Sequence, residues 1–144
     1  MNHAINNLTF KQADQYSLPL VKQFYKKNGM RAQAPKGDLI FIATHNNIIV
    51  AALRLHPVNH GYLLRSMCVA AAHRQQGIGS ALLQHLQSTL NNIECYSFPF
   101  THLVNFYRRA HFQLCETETT PQAIADKFNR YIRNGKKICL MKHQ

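Results

Sequence analysis

The residues best suited to chemistry stand together in one short loop, Arg74-Gln75-Gln76-Gly77-Ile78-Gly79, continued by Ser80. An apolar run, Tyr62–Val69, feeds it, and Ile78, Ala81, Leu82, Leu83 and Leu86 leave it at helical spacing. A helix that begins inside a glycine-bearing loop points unpaired backbone N–H groups outward, an arrangement that binds phosphate. Glycine at 77 and 79 omits the Cβ that would hold a pyrophosphate off the main chain, and Arg74 adds a full positive charge. Spacing excludes two other phosphate loops. Leu82 stands where a dinucleotide fingerprint has its third glycine, and no Gly-Lys-Ser/Thr follows as a P-loop requires.

The elements around this loop follow from periodicity and turn residues. Leu8–Lys11 reads as a first strand. Asp14 is expected to cap a helix bearing Leu18, Leu20, Val21, Phe24 and Tyr25, closed by Asn28-Gly29, with an irregular polar stretch running on to Gly37. Leu39–Thr44 and Ile48–Leu55 form a hairpin across His45-Asn46-Asn47, and Pro57–Gly61 turns the chain into Tyr62–Val69. A helix to about Leu90, a buried strand over Ile93–Phe98 and a second helix over Leu103–Phe112 follow. Strand, helix, strand makes a crossover, so the strands around Met67 and Cys95 are expected to run parallel. Thr119-Thr120-Pro121 opens a last helix with Ala123, Ile124, Phe128 and Tyr131 on one face; Gly135 ends it, and Lys137–Lys142 closes the chain as a strand. The fold class is α+β: a mixed, mostly antiparallel central sheet flanked by helices, with one parallel pair, all in a single domain over 1–144.

Arg74, Gly77 and Gly79, preceded by Cys68-Val69 at a strand end, resemble the acetyl-CoA signature Arg/Gln-x-x-Gly-x-Gly/Ala of the GNAT superfamily of N-acetyltransferases. Asn105-Phe106-Tyr107-Arg108-Arg109-Ala110-His111-Phe112 is similar to that family's Phe-Tyr-x-x-x-Gly-Phe helix, and the element order fits from Leu8 to Lys142. The resemblance implies a parallel strand pair that splays, with the pantetheine arm of acetyl-CoA in the gap along Met67, Cys68 and Val69. It implies that the Met67 backbone N–H faces the thioester carbonyl, a placement that stabilises the oxyanion of acyl transfer. It makes Tyr107 a cofactor contact and the general acid for the departing thiolate; a packing aromatic on an amphipathic helix is the equal alternative.

Departures from the family pattern bear on the acceptor. The strand carboxylate that some members use as a base is Leu63 here. Water, or a histidine such as His102 or His56, is left to take the proton. His111 replaces the glycine of the helix motif, and the expected early asparagine falls near Phe100 and Thr101. Arg54 and Arg65, on neighbouring strands, suit an acceptor with a carboxylate as well as an amine, an amino acid, peptide or related metabolite; a solvated sheet face accounts for them equally well.

Composition limits the remaining possibilities. The 144 residues carry 46% apolar and 16% charged side chains, the profile of one folded domain. No run suits a membrane span, and the first residues lack the pattern of a signal peptide, so a cytoplasmic protein is expected. Cys68, Cys95, Cys115 and Cys139 are far apart in apolar runs and read as reduced buried thiols. His56 and His60 flank turn residues, so no metal is expected. With 17 Lys+Arg against 6 Asp+Glu, the net charge of +11 attracts polyanions, CoA among them. The rival readings are a basic nucleic-acid-binding module and a non-catalytic acyl-CoA sensor; nucleic acid is the less expected partner because aromatics are not interleaved with the bases. A homodimer is the default assembly.

Overall fold

The computed structural model describes residues 7–31 and 37–144, so most of the irregular stretch expected before Gly37 lies outside the described residues. In chain order the elements are β1 (Leu8–Gln12), α1 (Leu18–Lys27), β2 (Leu39–His45), β3 (Ile48–Val58), β4 (Gly61–Val69), α2 (Ile78–His85), α3 (Gln87–Leu90), β5 (Cys95–Ser97), α4 (Val104–Arg108), β6 (Phe112–Leu114), α5 (Gln122–Arg133) and β7 (Met141–His143). The seven strands form one sheet in the order β1-β2-β3-β4-β5-β7-β6, antiparallel at every contact except the parallel β4–β5 pair.

Local chemistry accounts for the main turns. Asn46 and Asn47 both adopt positive φ (52° and 66°), the backbone of a two-residue hairpin loop, which asparagine tolerates better than most residues. α1 buries Val21, Phe24 and Tyr25 on one face. At its end the Met30 N–H donates to the Tyr25 carbonyl and Gly29 takes φ 78°, a glycine-capped terminus. Asp14 does not cap the helix as expected. Its carboxylate accepts from the Ser17 N–H and hydroxyl instead, and Ser17 is the N-cap residue.

Helices cover both faces of the sheet, which is why β2 and β3 read as nearly continuous apolar runs rather than alternating ones. On one face Leu53, Leu55 and Leu64 pack with Leu82, Leu83 and Leu86 beneath α2. On the other, Ile40, Ile42 and Ala52 meet α1, while Leu63 and Tyr96 meet Ile124 of α5.

Four expected boundaries are corrected. The helix after the glycine loop breaks at Leu86 into α2 and α3. The helix expected over Leu103–Phe112 is only Val104–Arg108, after a 3-10 turn at Thr101–Leu103, and Phe112 already belongs to β6. The strand expected over Ile93–Phe98 shortens to Cys95–Ser97. The closing strand begins at Met141 rather than Lys137, because the preceding segment bridges Ile138 to Phe100.

His111 stands in the left-handed region at φ 70°, ending the turn after α4 and turning the chain into β6. A non-glycine residue there stores backbone strain, and the ring is exposed. His111→Gly is therefore expected to raise stability by about 0.5–1 kcal/mol, measured as a shift in the urea midpoint.

Candidate functional site

β4 carries one residue too many for its partner. Its register against β3 runs Ala52↔Cys68 and then Arg54↔Arg65, so Ser66 and Met67 together oppose the single residue Leu53. Ser66 takes φ 57°, as the first residue of such a bulge can. The bulge reverses the phase of the strand: Cys68 joins the cluster under α1, while Met67 and Val69 pack toward α2.

Just before the bulge, after Leu64, β4 and β5 part. Their parallel ladder covers only Tyr62–Leu64 against Cys95–Ser97. After Ser97 the chain is drawn to the opposite side, where the Cys139 N–H donates to the Pro99 carbonyl at 2.8 Å and Phe100 bridges Ile138. The gap opens into a cleft of about 1190 Å3, walled by Arg65–Val69 on one side and Ser97–Phe100 with Phe106 and Tyr107 on the other.

The glycine loop closes one end of this cleft. Gln75 and Gly77 both have positive φ (64° and 77°), a backbone that turns successive N–H groups inward. No side chain caps the start of α2, and its first internal bond runs from the Ala81 N–H to the Gly77 carbonyl, which leaves the N–H groups of Ile78, Gly79 and Ser80 without helical partners. The two glycines do different work. A Cβ on Gly77 would meet open space, whereas one on Gly79 would come within 3.2 Å of Phe106 Cζ and 3.5 Å of Val69. Gly77 serves the loop conformation, and Gly79 lets α2 sit against Phe106. The Arg74 Nε donates to the Val69 carbonyl at 3.1 Å, tying the loop to the strand end.

Tyr107 lines the cleft from α4 and is only 5% exposed. Burial pushes its phenol up to about 12; the nearby Ser97 side chain opposes the shift, and the Cys95 thiol adds to it. Cys95 is itself pushed up to about 12 by burial. Cys68 also lines the cleft, and its thiol is raised by burial, with Arg74 pulling the other way.

Most residues singled out from the sequence converge here: Arg65, Met67, Cys68, Val69, Arg74, Gln75, Gly77, Ile78, Gly79, Ser80, His102 and Tyr107 all line the cleft. Gln76, half-buried, does not. His102 is exposed and stacks on Phe100. Arg54 and His56 are corrected outright. Neither lines the cleft, and both are taken up by Asp38: Arg54 Nη1 meets Oδ2 at 2.8 Å and His56 Nδ1 meets Oδ1 at 2.6 Å. Arg54 Nη2 donates to the Ser66 hydroxyl at 2.8 Å, while the Tyr25 hydroxyl donates to the Ser66 carbonyl at 2.9 Å. The bulge is thus gripped from behind by two side chains. Sequence reasoning missed Ser97, Phe106, Tyr131 and Lys136, which line the cleft from elements far apart in the chain. Among the described residues no group of three His, Cys, Asp or Glu side chains could hold a metal, and no helix is long and apolar enough to cross a membrane.

A family model described as an acetyltransferase (GNAT) domain matches residues 36–114. No curated protein matches the sequence closely. Among solved structures, N-acetylglutamate synthase from Neisseria gonorrhoeae, complexed with coenzyme A and L-arginine, is similar over 95% of this chain and 33% of its own, at 11% identity and TM-score 0.71. This chain thus spans about a third of that synthase. Arabidopsis thaliana Naa50, in complex with the bisubstrate analogue CoA-Ac-MVNAL, is 22% identical over 94% of this chain and 97% of its own, with TM-score 0.66. A GNAT family acetyltransferase from Elizabethkingia anophelis with acetyl-CoA bound is 15% identical over 96% and 99%, with TM-score 0.64. These are likenesses of fold. The nucleic-acid module and the idle sensor find no support in them.

Asp38 has a side chain only 1% exposed and is held by the Arg54 guanidinium and the His56 ring. Asp38→Asn would leave the Arg54 guanidinium buried without a counter-charge, so a loss of about 3 kcal/mol is expected, measured by urea denaturation.

Proposed function

The chain belongs to the GNAT acetyltransferase family, and from that premise we propose that it moves the acetyl group of acetyl-CoA directly to the nitrogen of an amine acceptor, the whole chain acting as one domain. The observation that carries the reading is the splayed cleft between β4 and β5, with a phosphate-suited helix start at one end and a buried phenol in its wall.

In this reading the N–H groups from Gly77 to Ser80 and the Arg74 guanidinium hold the pyrophosphate, as unpaired donors at a helix start do. The open side of Gly77 supports that role. The freed edge of β4 from Met67 to Val69 binds the pantetheine arm as an added strand would. When the acceptor nitrogen attacks the thioester carbon, the Met67 N–H stabilises the oxyanion. The C–S bond then breaks, the thiolate takes the Tyr107 proton, and the acylated nitrogen releases its own proton to water or to His102 at the exposed rim.

A phenol near 12 would be a poor donor to an ordinary thiolate, whose acid lies near 8.5. Burial likewise pushes the neighbouring Cys95 thiol, which lies in the core behind the cleft, up to about 12. A thiolate formed beside Tyr107 in the cofactor-filled cleft is raised by desolvation in the same direction, which narrows the gap to the phenol. The Cys68 thiol, raised by burial, supports direct transfer over an acyl-cysteine relay, because the thiol form is a weak nucleophile.

Two experiments test this. Gly77→Val sets a branched residue at φ 77° and projects it into open space where the pyrophosphate is to lie. Calorimetric titration should find acetyl-CoA affinity lost in a variant whose circular dichroism is unchanged, and unaltered affinity refutes the loop assignment. Tyr107→Phe retains the ring and should lower kcat by roughly 10²–10⁴-fold. The pH profile gives an independent check. The phenol's raised pKa keeps it protonated through the range in which a free phenol, near 10, ionises. The wild-type kcat should therefore hold without an alkaline fall up to about pH 10.5, and a halving near pH 10 would remove Tyr107 from the role of acid.

A further inference from the structure

All six carboxylates of the sequence lie among the described residues, and none lines the cleft. Asp38 is held by Arg54 and His56, Glu94 meets Lys142, Asp14 bonds Ser17 and Asp126 accepts from Gln122. Glu116 and Glu118 sit around a 3-10 turn between β6 and α5. The wall of the cleft thus carries cationic side chains and no anionic ones.

Arg65 is the informative one. It stands directly opposite Arg54 across the β3–β4 ladder, so the two side chains leave the same face of the sheet. Arg54 is neutralised by Asp38, whereas Arg65 has no carboxylate within 4.0 Å. Its side-chain partner is the Tyr131 hydroxyl, at 3.4 Å. Tyr131 is braced edge-on by Phe98 at 6.0 Å between ring centroids. The capped end of α5 brings a second cation to the cleft wall: Gly135 turns at φ 85°, and the Lys136 N–H folds back onto the Tyr131 carbonyl at 3.0 Å. Arg65, Tyr131 and Lys136 all line the cleft.

We propose that the acceptor carries a carboxylate beside its amine and that Arg65, with the Tyr131 hydroxyl and the Lys136 ammonium, holds that carboxylate. The proposal rests on the acetyl-transfer reading above. A half-buried guanidinium without a counter-ion is a strong donor to a planar anion, and its fork fixes orientation as well as charge. Polyamines and lysine-rich tails would meet two cations and no acid. Arg65 precedes Met67 by two residues, at most about 7 Å of strand, so one amino-acid-sized acceptor reaches both the anion site and the acyl carbon.

The test uses the intact chain with acetyl-CoA and a panel of free amino acids and dipeptides, each paired with its C-terminal amide, plus spermidine. CoA release is followed by thiol titration, and acetyl-CoA binding is measured separately by calorimetry. The expected result is a kcat/KM preference for the acid over its amide of about 10-fold or more, carried mainly by KM. Arg65→Gln should erase that preference while acetyl-CoA affinity stays unchanged, and Arg65→Lys should restore part of it. Equal use of acids and amides, superior use of spermidine, or a preference that survives Arg65→Gln overturns the proposal. So does the failure of every carboxylate-bearing acceptor in a protein that binds acetyl-CoA tightly. Failure to bind acetyl-CoA at all would instead defeat the transferase reading itself.

Discussion

The extra residue in β4 is the constraint on which the rest of the site depends. With Ser66 and Met67 set against Leu53 alone, the strand must bend and change phase. The bend separates β4 from β5 after three paired residues, and the phase change turns Met67 and Val69 toward the α2 side while Cys68 faces α1. The other wall is pulled away independently, by the contacts of Pro99 and Phe100 with Cys139 and Ile138. Serine at φ 57° is not the residue that adopts this backbone most easily, and left-handed backbone costs a non-glycine residue about 1–2 kcal/mol. What offsets that cost is visible on the far side. Tyr25 holds the Ser66 carbonyl, and Arg54 holds its hydroxyl. A serine can be gripped by both atoms, which a glycine cannot.

That grip explains how the polar groups are divided. Asp38 is buried and would be costly there alone, but the Arg54 guanidinium and the His56 ring satisfy both its oxygens in good geometry. Its service to Arg54 commits that arginine to the bulge, and the Tyr25 phenol, well above the ordinary range through burial, stays a neutral donor. The paired and saturated groups lie behind the strand, whereas the groups in front of it, Tyr107 and the start of α2, have donors to spare. Catalytic capacity in such a site comes from donors held in place and left unsatisfied.

How much of this is legible in sequence depends on whether the signal is local. The turn of the glycine loop and the helix start in it are legible because their signals reside in consecutive residues, and the β2–β3 hairpin because Asn46-Asn47 carries its own turn preference. The mixed sheet with one parallel pair follows from the strand–helix–strand order. What fails is decided by partners distant in the chain. β6 is three residues long and pairs only with β7, so periodicity gave Phe112 to a helix. The split between α2 and α3 at Leu86 leaves the apolar spacing intact and so leaves no trace in it. Arg54 and Arg65 look alike as two bases on adjacent strands. Asp38, sixteen positions before Arg54, separates their roles, and nothing in the spacing announces that contact. Lys136 reaches the cleft only because Gly135 reverses the end of α5.

The charge imbalance takes on a different meaning once those contacts are known. A net +11 invites a search for one basic surface, yet the scarcity of acids matters more than the abundance of bases. With only six carboxylates, each one placed next to a base removes a cation from the field around the cleft. Asp38 is spent on Arg54 and His56, Glu94 on Lys142, and the other four lie away from the cleft wall. Arg65, Arg74 and Lys136 all line one continuous cleft, and among the described residues none has a carboxylate within 4.0 Å. Such a cleft favours anionic groups, and the acyl transfer proposed for it is uncharged chemistry. A neutral amine is what acyl transfer needs there, and a positive field promotes it by lowering the pKa of the acceptor's ammonium. The missing strand carboxylate at Leu63 is consistent with that arrangement: where the field already weakens the ammonium, water or an exposed histidine suffices to take the proton.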